Sequence, residues 1–87
     1  MPTFSKVAVM GTGTMGPGMG AVLARAGYQV VLYDTSPEAL ERAKAGYELA
    51  WGVLDRLETP AVDGGSVRYA SDLADALAGA ELVMEAI

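Results

Sequence analysis

The chain contains no cysteine and no histidine. The first absence excludes disulfides and thiolate chemistry. The second leaves no evident general base for taking a hydroxyl proton. Bases are scarce: six against eleven acids, for a net charge of −5. With no basic cluster to neutralise a phosphate backbone, nucleic acid is not an expected partner. No run of eighteen apolar residues occurs, so no membrane span is expected, and the first residues carry neither an export nor a transit signal. A cytoplasmic setting is the default expectation. Eighty-seven residues allow one small domain, which buries only about 60–70% of its unfolded surface and has a thin stability margin.

What is present alternates between two periodicities. Residues 6–10 form a short apolar run with two valines, the pattern of a buried parallel strand. Residues 14–26 carry Met15, Met19, Val22, Leu23 and Ala26 at helical spacing, with Gly27 as the stop. Residues 29–33 are β-branched and aromatic and end at Asp34. Ser36 then caps a helix with Pro37 in its first turn, and Leu40, Ala43, Tyr47, Ala50, Leu54 and Leu57 continue one stripe. Pro60 and Gly64-Gly65 mark a loop, residues 67–70 a third strand, Ser71 or Asp72 the cap of a brief helix ending at Gly79, and residues 82–87 a fourth strand. Strands alternating with helices predict an α/β fold of Rossmann type, a doubly wound parallel sheet of about four strands. In that fold the order is 3-2-1-4.

The junction of the first strand and helix reads Gly11-Thr12-Gly13-Thr14-Met15-Gly16. A Gly-x-Gly-x-x-Gly run alone is weak, but the spacing continues through Gly20, Leu23, Gly27 and Val30 to Asp34, as in a dinucleotide fingerprint. Gly11 permits the sharp turn, Gly13 lets backbone approach a pyrophosphate, and Gly16 allows helix and strand to pack closely. The amides near Thr12 to Met15 face the anion with the positive end of the helix dipole. Thr12 or Thr14 either adds a hydroxyl to that site or caps the helix.

Asp34 stands eighteen residues after Gly16, where a carboxylate accepts both adenosine ribose hydroxyls and repels a 2′-phosphate. No base follows in Thr35-Ser36-Pro37, so the expected cofactor is NAD and not NADP. The plainer reading of Asp34 is a turn residue. The methionines, Tyr47 and Trp51 read as packing; Arg25, Arg42, Lys44 and Arg56 read as a solvated face. Pro17 fits the first helical turn, and Gly18 and Gly20 suggest close backbone contact with the sheet or the cofactor.

Residues 6–16 (KVAVMGTGTMG), 26–34 (AGYQVVLYD), 71–73 (SDL) and 80–87 (AELVMEAI), with the long second helix, resemble the NAD-binding part of L-3-hydroxyacyl-CoA dehydrogenases and the related 3-hydroxybutyryl-CoA dehydrogenases. The resemblance spans nearly the whole chain. The 3-hydroxyisobutyrate and 6-phosphogluconate dehydrogenases, which share the glycine-methionine turn, are the nearest competitors.

The resemblance implies fatty acid metabolism and hydride transfer from the 3-hydroxyl carbon of an acyl-CoA to NAD. Gly11, Gly13, Gly16 and Asp34 would hold the cofactor, with Ala86 and Ile87 on the nicotinamide side of the crevice. Glu85 matches an acid common there, either structural or lining the crevice. In that family a histidine positioned by a glutamate is the base, and both lie further along than this sequence reaches. The expectation is therefore a fragment, a truncated gene product or a deliberately shortened chain, in which residues 1–87 are the cofactor-binding portion without catalytic activity of their own. A non-catalytic nucleotide-binding or assembly module and a flavoprotein domain are the alternatives. Self-association through uncovered sheet edges or apolar faces is also expected.

Overall fold

A computed structural model describes residues 5–11 and 16–85. Four strands, β1 (Lys6–Met10), β2 (Gln29–Tyr33), β3 (Ser66–Ala70) and β4 (Leu82–Glu85), alternate with three helices, α1 (Gly16–Arg25), α2 (Pro37–Arg56) and α3 (Leu73–Leu77). The strands form one sheet in the order β3-β2-β1-β4, with every pairing parallel. Order and direction are those expected of the Rossmann type. No helix among the described residues is long and apolar enough to cross a membrane.

The local signals explain most boundaries. Ser36 Oγ accepts from Ala39 N at 3.2 Å and Pro37 opens α2, while Asp72, and not Ser71, caps α3 by accepting from Asp75 N at 2.9 Å. At the end of α1, Gly27 is left-handed (φ 98°), and Gly27 N and Tyr28 N donate to the carbonyls of Ala24 and Leu23. That pair of bonds satisfies carbonyls the helix leaves open. The end of α2 repeats the same bonding with Glu58 in the left-handed position (φ 57°).

Alternation along β3 assigns the faces. Val67 and Tyr69 pack on the cluster of Val7, Val9, Ala24, Val30 and Leu32, whereas Arg68 between them pairs with Asp75 of α3 at 2.8 Å. Helices α1 and α2 therefore cover one face and α3 the other. Pro17 meets Gly46 near the start of α1 and Arg25 meets Asp55 near its end, so α1 and α2 run side by side in one direction.

Four expectations fail, in whole or in part. The stripe expected to anchor α1 does so only in part: Met19 and Leu23 pack against the core, but Val22 and Ala26 are exposed, and the buried positions are Gly16, Pro17, Gly20, Ala21, Ala24 and Arg25. Small residues win because they let the helix axis approach the sheet; a Cβ on Gly20 would already meet Leu32 at 3.3 Å. Gly18, by contrast, faces open space, so the close contact expected of it is absent. Leu57, assigned to the buried stripe of α2, is 70% exposed because the helix ends there.

Arg25, expected on a solvated face, is 7% exposed. Its Nε and Nη2 donate to the Thr59 carbonyl at 2.9 and 2.6 Å, and its guanidinium lies 4.7 Å from the Trp51 ring centroid. Nη1 sits 2.8 Å from Asp55 Oδ1 as a charge contact without hydrogen-bond alignment. Arg25 thus ties the end of α1 to α2 and to the loop before β3. Val62 N donates back to the Arg25 carbonyl at 2.7 Å, and a Cβ on Gly65 would fall on the Ala24 carbonyl oxygen. That loop has glycine where it crosses the helix end because nothing larger fits.

Candidate cofactor site

The sheet reverses its winding at β1: the chain moves from β1 to β2 and β3 on one side, then returns to β4 on the other. In open α/β sheets such a switch point leaves a crevice at the carboxyl ends of the strands, where ligands bind. The residues bordering it are Gly11 after β1, Asp34 after β2 and Glu85 at the end of β4.

Gly11 leaves β1 with φ 88°, a conformation that side chains with a Cβ rarely adopt, so the expected sharp turn is present. Its N–H donates to the Tyr33 carbonyl at 2.8 Å, which fastens the glycine turn to the end of β2 and beside Asp34. The Asp34 N–H in turn donates to the Ala70 carbonyl at 3.2 Å. The half-buried Asp34 carboxylate accepts from Ser36 N at 3.0 Å through Oδ1. This contact fixes the acid at the strand end, and it joins the two readings of Asp34, since a turn-forming carboxylate is also a positioned one.

Gly16 is buried at the first position of α1, and Pro17 follows it within the first turn, where a missing N–H is tolerated. Thr12, Gly13, Thr14, Met15, Ala86 and Ile87, the other expected contacts, lie outside the described residues. The structure brings Gly11, Gly16 and Asp34 to one end of the sheet. Glu85 lies at the same end, exposed, in register with Met10. These residues fit a dinucleotide: Gly11, in a conformation that favours glycine, ends β1 ahead of α1, and an oriented carboxylate stands one strand away.

Two residues that position α1 escaped the sequence reading. Gly46 of α2 touches Pro17, where a Cβ would meet the ring at 3.2 Å, so a glycine inside α2 seats the first turn of α1. Arg25 fixes the opposite end of the same helix. The available signal was its isolation, as the single charged residue in an otherwise apolar ten-residue segment. Tyr47 and Tyr69 have pKa values raised by burial, and they belong to the packing beneath α2 and not to the crevice.

Fold and switch-point geometry define a dinucleotide-binding module of Rossmann type. Residues 6–87 match the family model described as 3-hydroxyacyl-CoA dehydrogenase, NAD binding domain, and the chain belongs to that family as its NAD-binding domain, with NAD as the cofactor. It is 51% identical over 81 residues to 5-formyl-3-hydroxy-2-methylpyridine 4-carboxylate 5-dehydrogenase of Mesorhizobium japonicum, covering 91% of this chain and 26% of that protein. A probable 3-hydroxybutyryl-CoA dehydrogenase of Deinococcus radiodurans is 36% identical over 86 residues, covering 94% and 31%. A crystal structure of a 5-formyl-3-hydroxy-2-methylpyridine 4-carboxylic acid 5-dehydrogenase, described as an NAD+-dependent dismutase, superposes with a TM-score of 0.90 at 47% identity, covering 95% of this chain and 28% of that one. The chain thus spans about a quarter to a third of the length of these relatives.

Proposed function

We propose that Gly11, Thr12, Gly13, Thr14, Met15 and Gly16 hold the NAD pyrophosphate, that Asp34 takes the adenosine ribose hydroxyls, and that Ala86 and Ile87 border the nicotinamide. The carrying observation is the Gly11 N–H bond to the Tyr33 carbonyl, because it sets the glycine turn beside the oriented Asp34 carboxylate. Bound NAD supplies the hydride acceptor. The work of this chain is to bind and orient it: backbone amides and the α1 dipole take the anionic centre, and Asp34 selects against a 2′-phosphate.

In this reading residues 1–87 are the cofactor half of an oxidoreductase that moves hydride between NAD and the hydroxyl-bearing carbon of a 3-hydroxyacyl-CoA. The base and the substrate-orienting residues belong to other parts of a longer protein. The family model supports the acyl-CoA as substrate. A second reading, a pyridine carboxylate bearing an aldehyde, is favoured by the 51% identity to a dehydrogenase named for such a compound. Following NADH formation with 3-hydroxybutyryl-CoA in one assay and consumption of the pyridine aldehyde in the other, by a full-length protein carrying this segment, separates the two.

Calorimetric titration tests the site itself. NAD binds more tightly than NADP, and Asp34→Ala weakens NAD by roughly 10- to 100-fold, the value of hydrogen bonds to a charged acceptor. Unchanged NAD affinity in that variant overturns the role of Asp34; tighter binding of NADP overturns the cofactor preference.

A further inference from the structure

Helix α2 holds two glycines in its interior, Gly46 and Gly52, and each weakens the helix relative to alanine. Their surroundings differ. A Cβ on Gly52 would meet nothing within 4 Å, whereas a Cβ on Gly46 would meet Cβ and Cγ of Pro17 at 3.2 and 3.3 Å. Pro17 is buried in the first turn of α1, directly after Gly16. The glycine at 46 therefore has a neighbour that requires it, and the glycine at 52 has none.

We propose that Gly46 is a positioning residue for NAD: the space it leaves sets where the first turn of α1 stands, and with it the amides that meet the pyrophosphate. The inference rests on the assignment of the pyrophosphate to residues 11–16. Gly46 itself lies on another helix and touches no part of the cofactor in that reading. It acts through Pro17.

No side-chain rotation relieves this contact. The Pro17 ring closes on its own backbone nitrogen, so pressure on Cβ and Cγ passes into the main chain of α1. A Cβ at 3.2 Å requires its neighbour to give by a few tenths of an ångström. Retreat of α2 is opposed on both sides of Gly46: Ala43, one turn before it, is fully buried, and Trp51 and Asp55 beyond it are held by Arg25 from the end of α1. The start of α1 is therefore the piece that moves. Hydrogen bonds from a helix N-terminus to an anion depend steeply on distance and angle, and the amides of one turn shift together.

Calorimetric titration with NAD checks the assignment. Gly46→Ala weakens NAD binding by about 3- to 10-fold. Gly52→Ala, in the same helix, raises the thermal midpoint by roughly 4–8 °C and leaves NAD affinity unchanged. On a Pro17→Gly background, which lacks both contacted ring atoms, adding Gly46→Ala costs no further NAD affinity. Amide chemical shifts give the same answer if Pro17→Gly folds poorly: those of Gly16 and Gly18, on either side of Pro17, move in Gly46→Ala and stay in place in Gly52→Ala. Equal NAD affinity in wild type and Gly46→Ala overturns the role of Gly46 and leaves the cofactor site standing. So does a loss that persists on the Pro17→Gly background or that Gly52→Ala shares. A wild-type chain that binds no NAD overturns the site assignment itself, and this inference with it.

Discussion

Strands β1 and β4 are hydrogen-bonded neighbours built from the same kinds of residue, KVAVM and LVME, yet the structure treats them oppositely. In β1 Val7, Ala8 and Val9 are buried, because β2 and β4 flank the strand and helices cover its faces. In β4 only Met84 is half-buried, while Leu82 and Val83, on opposite faces, are both exposed. Among the described residues β4 has one strand partner. Composition decides that a segment becomes a strand; the number of neighbours decides what its side chains contribute.

The largest expected contrast comes from truncating one side chain in each region. Leu32, fully buried on β2 against Gly20, should lose about 2–5 kcal/mol on Leu32→Ala, a large part of a domain's whole stability of about 5–15 kcal/mol. Val83→Ala on β4 should stay within about 0.5 kcal/mol. Urea unfolding of both variants measures the difference, and equal losses would break the comparison.

A smaller effect is expected at Arg25, which holds the two helices covering the centre. Arg25→Ala removes two charge-assisted hydrogen bonds to the Thr59 carbonyl and should cost about 1.5–3 kcal/mol. Arg25→Lys should recover only part of this, since an ammonium cannot reproduce the fork and the stacking on Trp51. Hydrogen exchange should show faster opening of the α1 and α2 amides, with β4 amides unchanged. A loss spread evenly over both regions would remove Arg25 from its place at the centre.

The smallest effect probes the periphery alone. Glu81, just before β4, accepts from Ser5 N at 3.0 Å and Lys6 N at 3.2 Å, and its own N–H donates to the Lys6 carbonyl. The backbone hydrogen bond from Ser5 is the main cause that lowers its carboxyl pKa below the ordinary 4.5. A carboxyl with a lower pKa when folded contributes stability that is complete above its unfolded pKa and disappears as pH falls through the folded one. The difference between wild type and Glu81→Gln should therefore be constant above about pH 5 and vanish in acid. A difference that grows on acidification would reverse the sign and discard the contact.

Much of this molecule was legible in order. All four strands, the three helices, the Ser36 cap and the left-handed Gly27 follow from patterns confined to a few neighbouring residues, because periodicity and turn conformation are local properties. Of the expected site residues, Gly11, Gly16 and Asp34 stand where the spacing put them, at one end of the sheet, and their hold on a cofactor is the proposal made above.

What only the tertiary structure decided is which surfaces meet. Counting apolar residues placed Met19 and Leu23 against the core but also Val22 and Ala26, which are exposed, since the centre of the buried face is set by how closely Gly20, Ala21 and Ala24 let the helix approach Leu32. It also left Arg25 in solvent, whereas Thr59, thirty-four positions later, supplies the carbonyl that buries it. Leu49 and Val53 remain outside for the corresponding reason: α2 has one sheet to cover and more apolar surface than that sheet can take. Sequence spacing fixes the direction of each side chain relative to its own helix or strand. The partner waiting there is fixed by chain closure across distances that spacing does not encode.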